Sequence, residues 1–208
     1  MSKILKKLPN ILTILRIVLS PVFVVLFVKG FLNSNSLLIN LSYLFLLIAS
    51  VTDILDGYLA RKYKIVSDFG KIYDPLADKI LIFCSFWLML FMLSILYVGF
   101  DLGFRPTNAS LHKLMIAFYC LLICASILRD IIITIVRFKL KRTGVLMHAD
   151  RYGKLKTFFQ IITIHSFFLS IIIFFSLKIN TVFTFLFSFS YLCLIISFFF
   201  FIASAFNY

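Results

Sequence analysis

Glutamate is absent from this chain: all eight acidic residues are aspartates. Charge of either sign is scarce, at 14% of 208 residues, and glycine (7), proline (4) and tryptophan (1) are scarcer. A chain so poor in charge and in helix breakers is not a disordered one. Nor does it fit a water-soluble domain, because 62% of its residues are hydrophobic where about 45–50% is usual. The mean hydropathy is +1.09. Cysteine is also sparse. Cys84, Cys120, Cys124 and Cys193 lie within apolar runs and none has a histidine at metal-finger spacing, so they read as small buried apolar residues.

What is abundant is phenylalanine, with 27 residues, and long apolar stretches with no polar face. A soluble helix alternates faces and these do not. The fold expected is all-α, a polytopic membrane protein with six transmembrane helices near 9–29, 37–60, 74–98, 112–136, 155–177 and 181–205. A single membrane domain over 1–208 is expected, with no internal repeat. The basic opening MSKILKKLPNILTILRIVLS resembles a signal peptide, but Arg16 interrupts its apolar run and no small-residue cleavage site follows. It is therefore read as a retained first span behind a short amphipathic segment. The Phe-rich tract from Phe167 to Phe206 is explained by lipid contact.

The net charge of +13 comes from 21 Lys and Arg set mostly in short segments between spans. That pattern suits juxtamembrane anchoring and anionic lipid or substrate better than nucleic acid. One set of alternate loops holds fourteen basic residues: Lys3, Lys6, Lys7, Arg61, Lys62, Lys64, Lys71, Arg137, Lys139, Lys141, Arg142, Arg151, Lys154 and Lys156. The other set holds four, Lys29, Arg105, Lys113 and Lys178. The positive-inside rule then predicts both termini in the cytoplasm, in the cell (inner) membrane.

Five of the eight aspartates fall between residues 53 and 78, in TDILDGYLARKYKIVSDFGKIYDPLADK. Asp53 and Asp56 lie near the end of the second span, and Asp74 and Asp78 at the start of the third, so antiparallel spans bring the pairs to one end. On a helix, positions 53, 56, 57 and 60 share an arc of about 100°. Asp74 and Asp78, at i and i+4, share a face. Asp68 is off that face and reads as a loop or capping residue. Pro75 reads as part of a first helical turn. Four like charges at a membrane surface must protonate or bind cations. Hard divalent ions with oxygen ligands meet that need, and two Mg²⁺ match a formal charge of −4. Such a pair, about 3.5–4 Å apart, stabilises phosphoryl-transfer transition states. Gly57 lets a bulky group approach the helix, Ala60 leaves room one turn on, and the Arg61 fork suits a phosphate. The competing reading is a set of salt bridges inside a bundle, for which Lys79 and Arg61 supply two partners rather than four.

These residues resemble the signature of the CDP-alcohol phosphatidyltransferases, D-x2-D-G-x2-A-R, eight residues, then G-x3-D-x3-D. Asp53, Asp56, Gly57, Ala60, Arg61, Gly70, Asp74 and Asp78 fit all eight fixed positions over 26 residues. PNILTILR at 9–16, LRDIIITIVR at 128–137 and DRYGKLKTFFQ at 150–160 further resemble the members that use sn-glycerol 3-phosphate, with Asp130 standing where a Glu is expected.

The resemblance implies six spans, a cytoplasmic site and a metal-dependent transferase acting on CDP-diacylglycerol. It implies transfer of the phosphatidyl group to sn-glycerol 3-phosphate with release of CMP. Asp53, Asp56, Asp74 and Asp78 would bind Mg²⁺ or Mn²⁺, two ions in all, and Asp78 would also act as general base. Asn10, Thr13, Gly57, Arg61 and Ser67 would contact the CDP part. Arg129, Arg137, Lys154 and Lys156 would hold the acceptor phosphate. Membrane lipid and a second copy, as a homodimer, are the other partners implied.

Arg129 has a reading independent of the family, because an arginine inside an apolar span is costly and usually functional. Its neighbour Asp130 points about 100° away and is expected to be a poor partner. Other acceptors (inositol phosphate, phosphatidylglycerol, serine) are used within the family, and the basic residues favour a phosphorylated one. A divalent-cation transporter is the alternative from another class, but its acids belong near the bilayer midplane and in both halves of the chain.

Overall fold

The computed structural model describes residues 3–63, 68–98, 109–142 and 151–205. Its described residues form six helices: α1 Lys3–Leu32, α2 Ser36–Tyr63, α3 Asp68–Val98, α4 Ala109–Arg142, α5 Arg151–Leu177 and α6 Asn180–Ala205. Each contains a stretch long and apolar enough to cross a membrane, from 18 residues in α2 to 26 in α5. The chain is a multi-pass membrane protein. In apolar surroundings every backbone polar group needs an internal partner, and a continuous helix supplies it.

The helices run past the expected spans. α1 takes the basic opening and the first span into one helix with no break between them. α3 starts at Asp68, so Pro75 sits well inside it rather than in its first turn. Asp74 and Asp78 are therefore both on established helix. The turn between α1 and α2 is short and closed by local chemistry. Asn35 N–H donates to the Gly30 carbonyl at 2.8 Å, and Ser34 takes the left-handed conformation (φ 50°) that ends many helices. Asn35 Oδ1 then accepts from the N–H groups of Leu37 (3.0 Å) and Leu38 (3.3 Å), capping α2. A Cβ on Gly30 would lie 2.9 Å from the backbone nitrogen of Ile39, so glycine is what lets the two helices meet this closely.

The chain divides into two compact units. The first comprises residues 1–85 with 175–177, thus α1, α2, the first part of α3 and the end of α5. Along α1, Thr13, Arg16, Ser20, Phe23 and Phe27 recur at three- and four-residue intervals and are all fully buried. One half of this inward stripe is polar and the other aromatic. At the far end Phe31 meets Phe175 edge to face, ring centroids 5.6 Å apart, and Ser176 Oγ lies 3.0 Å from Asn40 Oδ1, to which it donates.

The second unit comprises residues 86–174 with 178–208. Its core is aromatic: Tyr119 packs against Phe167, Phe187 and Tyr191, and its hydroxyl bonds Ser190 Oγ at 2.9 Å. Phe167, Phe168 and Phe183 are buried, whereas Phe185 and Phe199 face outward. Lipid contact thus accounts for only part of the Phe-rich tract, because three of its rings build protein core. The cysteines differ from expectation in the same sense: Cys193 is buried, but Cys84 and Cys120 are half-buried and Cys124 is exposed on α4.

Candidate functional site

The first unit carries the acidic cluster. The end of α2 supplies Asp53 and Asp56, and α3 supplies Asp78. What they converge on is Arg16 of α1. Its Nη1 lies 2.9 Å from Asp53 Oδ1 and donates to Asp78 Oδ1, while Nη2 donates to Asp56 Oδ2 at 2.5 Å. Three helices are thereby tied by one guanidinium, whose planar fork can serve several carboxylates at once. Arg16 is 0% exposed. The Asp56 side chain keeps 10% of its exposure, against 39% for Asp53 and 44% for Asp78. Asp56 is the inner acid, and the other two line the open side of the cluster.

Reading the sequence alone overlooks Arg16, treating it as an interruption in an apolar run. The signal was present. An arginine inside a span demands a partner, and Arg16 follows the fully buried Thr13 by three positions on the same stripe. The sequence points to Arg61 and Lys79 as the nearest cations, whereas the partner described for all three acids comes from another helix.

The remaining residues expected at this site divide as follows. Thr13 is fully buried one turn before Arg16, and Asn10 is half-buried on the same helix. Gly57, Ala60 and Arg61 are placed on α2, and Gly70 and Asp74 on α3, but their side chains lie outside the described residues. Ser67 lies outside them altogether. Among the described residues no group of three or more acids, histidines or cysteines is arranged to hold a metal ion. The donors are nonetheless all carboxylate oxygens gathered on a cation. That chemistry suits a hard divalent ion, and Arg16 holds the position.

A second charged cluster lies in the other unit. Asp130 of α4 accepts from Lys156 Nζ of α5, from Gln160 Nε2 at 3.3 Å and from Arg129 Nη1 at 3.3 Å. Asp130 is thus a partner of Arg129 after all. The adjacent side chains diverge at their Cβ atoms, yet the long arginine stem bends back far enough to reach. Arg129 also donates through Nη2 to Ser204 Oγ of α6, and its guanidinium stands 5.5 Å from the centroid of the Phe201 ring. Lys156 is 2% exposed. Two cations held on one carboxylate leave the group with a formal charge of +1, a setting in which an anion is favoured.

Of the four residues expected to hold an acceptor phosphate, Arg129 and Lys156 are brought together. Lys154 is exposed, because residues two apart on a helix point to different sides. Arg137 is on α4 with its side chain outside the described residues. Gln160 and Ser204 join the cluster without having been singled out. Gln160 was findable, since it follows Lys156 at i+4; Ser204 carries no local signal.

Acids on the α2–α3 hairpin, a basic cluster on α4 and α5, and the aspartate signature define a class of membrane transferase. Residues 6–196 match the CDP-alcohol phosphatidyltransferase family, and the chain belongs to it. A relative from Rickettsia typhi named CDP-diacylglycerol–glycerol-3-phosphate 3-phosphatidyltransferase is 38% identical over 156 residues, covering 75% of this chain and 72% of its own. A relative of the same name from Bacillus subtilis is 34% identical over 165 residues, covering 76% and 74%. A third, named probable phosphatidylglycerophosphate synthase, from Mycobacterium tuberculosis, is 35% identical over 158 residues, covering 76% and 63%. No solved structure matches.

Proposed function

We propose that the chain transfers the phosphatidyl group of CDP-diacylglycerol to sn-glycerol 3-phosphate, giving phosphatidylglycerophosphate and CMP in phospholipid biosynthesis. The observation that carries this is the convergence of Asp53, Asp56 and Asp78 from two helices on one cation, in a chain whose relatives bear the name of that enzyme.

The 1-hydroxyl of the acceptor attacks the phosphorus that carries diacylglycerol, the bond to the CMP oxygen breaks, and CMP leaves. Asp78 takes the hydroxyl proton. Its Oδ1 is engaged by Arg16, which holds the carboxylate in place for that transfer. Mg²⁺ or Mn²⁺, two ions held by Asp53, Asp56, Asp74 and Asp78, would supply charge neutralisation of the diphosphate. Asn10, Thr13, Gly57, Arg61 and Ser67 contact the nucleotide. Arg129 and Lys156 engage the acceptor phosphate, and the charge of their cluster supports that role. Lys154 and Arg137 contribute attraction from the same basic segments.

We read residues 1–208 as one catalytic membrane domain, a reading supported by the family match over residues 6–196. The enzyme acts at the cytoplasmic side of the cell (inner) membrane, as a homodimer. The lopsided distribution of basic residues between alternate loops supports the orientation.

The test is CMP release by the purified full chain from labelled CDP-diacylglycerol with Mg²⁺ or Mn²⁺ and each acceptor in turn: glycerol 3-phosphate, inositol phosphate, phosphatidylglycerol and serine. Turnover with glycerol 3-phosphate alone is the expected result, abolished by Asp78→Asn in protein that still inserts. Preference for another acceptor overturns the substrate assignment, and full activity of Asp78→Asn removes the assigned base.

A further inference from the structure

Arg16 is wholly buried and takes one oxygen from each of Asp53, Asp56 and Asp78. It cannot shed its charge, because a guanidinium stays protonated in proteins. Its Nε has no hydrogen-bond partner among the described residues, so the side chain is held by its fork and not along its stem. A divalent ion arriving at these carboxylates meets this fixed charge in two ways. It seeks lone pairs that the guanidinium already uses, and it is repelled by a unit positive charge only a few ångström away. The opposing influence is organisation, since Arg16 also gathers three like-charged side chains. Asp53 and Asp56 are already set by one helix at i and i+3, so what Arg16 gathers to them is Asp78 of α3.

We infer that Arg16 is an internal competitor of the divalent cation: it holds Asp53, Asp56 and Asp78 together and lowers their affinity for metal. Arg16 is a positioning residue in this account, acting through the carboxylates. The inference rests on the metal reading given under the proposed function, and the two can fail separately.

The experiment is Mn²⁺ binding by the full chain in detergent, stripped with EDTA and dialysed, with free ion followed by its EPR signal. Asp56→Asn serves as the control that removes the site. Arg16→Gln should bind Mn²⁺ about tenfold or more tightly than the parent, as expected for removing one opposed charge at short range. Unchanged or weaker binding overturns the inference and makes Arg16 an organiser of the site. Should Arg16→Gln fail to fold, Arg16→Lys decides. Lysine keeps the charge but offers a point instead of a fork, so binding about threefold tighter supports competition, and equal or weaker binding refutes it. Absence of Mn²⁺ binding in the parent and every variant overturns the metal reading itself, and the competition with it.

Discussion

Replacing Arg16 by glutamine should expose how unequal its three ion pairs are, because the acids differ in burial. Two unit charges about 4 Å apart are worth about 4 kcal/mol at an effective dielectric near 20, and about 1 kcal/mol in water. Asp56 keeps only 10% of its side-chain exposure and meets Nη2 at 2.5 Å. Its pair belongs near the first figure, less the cost of desolvating both groups. Asp53 keeps 39% of its side-chain exposure and is the more open of the two. Its pair belongs near the second figure. The expected coupling energies are about 2–3 kcal/mol for Arg16 with Asp56 and about 1 kcal/mol or less for Arg16 with Asp53. They are measured as two double-mutant cycles, Arg16→Gln with Asp56→Asn and Arg16→Gln with Asp53→Asn. Unfolding free energies come from reversible SDS titration in mixed micelles, with EDTA present so that no divalent ion takes over the role of Arg16. Equal couplings, or an Arg16–Asp56 coupling below about 0.5 kcal/mol, would refute the assignment of Asp56 as the inner acid.

Two other outcomes follow from local geometry. Gly30→Ala places a methyl 2.9 Å from Ile39 Cγ1 and 2.9 Å from the Ile39 backbone nitrogen, which cannot swing aside. The α1–α2 hairpin should lose about 1–3 kcal/mol, seen as a lower melting temperature in detergent; an unchanged one contradicts the close approach. Lys156→Ala should raise the KM for glycerol 3-phosphate by about tenfold, the worth of one charge-assisted hydrogen bond, with little change in KM for CDP-diacylglycerol. Lys154→Ala, on the exposed side of α5, should change either KM by less than about twofold. Equal effects of the two substitutions would dissolve the acceptor pocket.

The aspartate pairs show how far spacing carries. Asp53 and Asp56 share a helix face because three residues span most of one turn, a property of the chain that packing does not alter. Lys154 and Lys156 obey the same rule in the opposite sense. Their two-residue separation divides them between faces, and Lys156 is buried where Lys154 is exposed. The apolar runs made six membrane helices legible, since length and composition decide what crosses a bilayer. Their ends were less so: α3 continues back through Pro75 to Asp68, against the usual preference of proline for a first turn.

Composition and periodicity alone determined that this is a helical membrane protein, and the signature in its α2–α3 hairpin marked where the acids lie. Those are properties of contiguous segments, each legible within one helix. Tertiary structure decided which cation the acids share. Arg16 on α1 reaches Asp53, Asp56 and Asp78 across sequence separations of 37 to 62 residues, and in the other unit Lys156 and Gln160 meet Asp130 from another helix. A charge inside a span must find a partner, and sequence states that requirement; which helix supplies the partner depends on how the helices pack, and helical spacing within one segment carries no record of it.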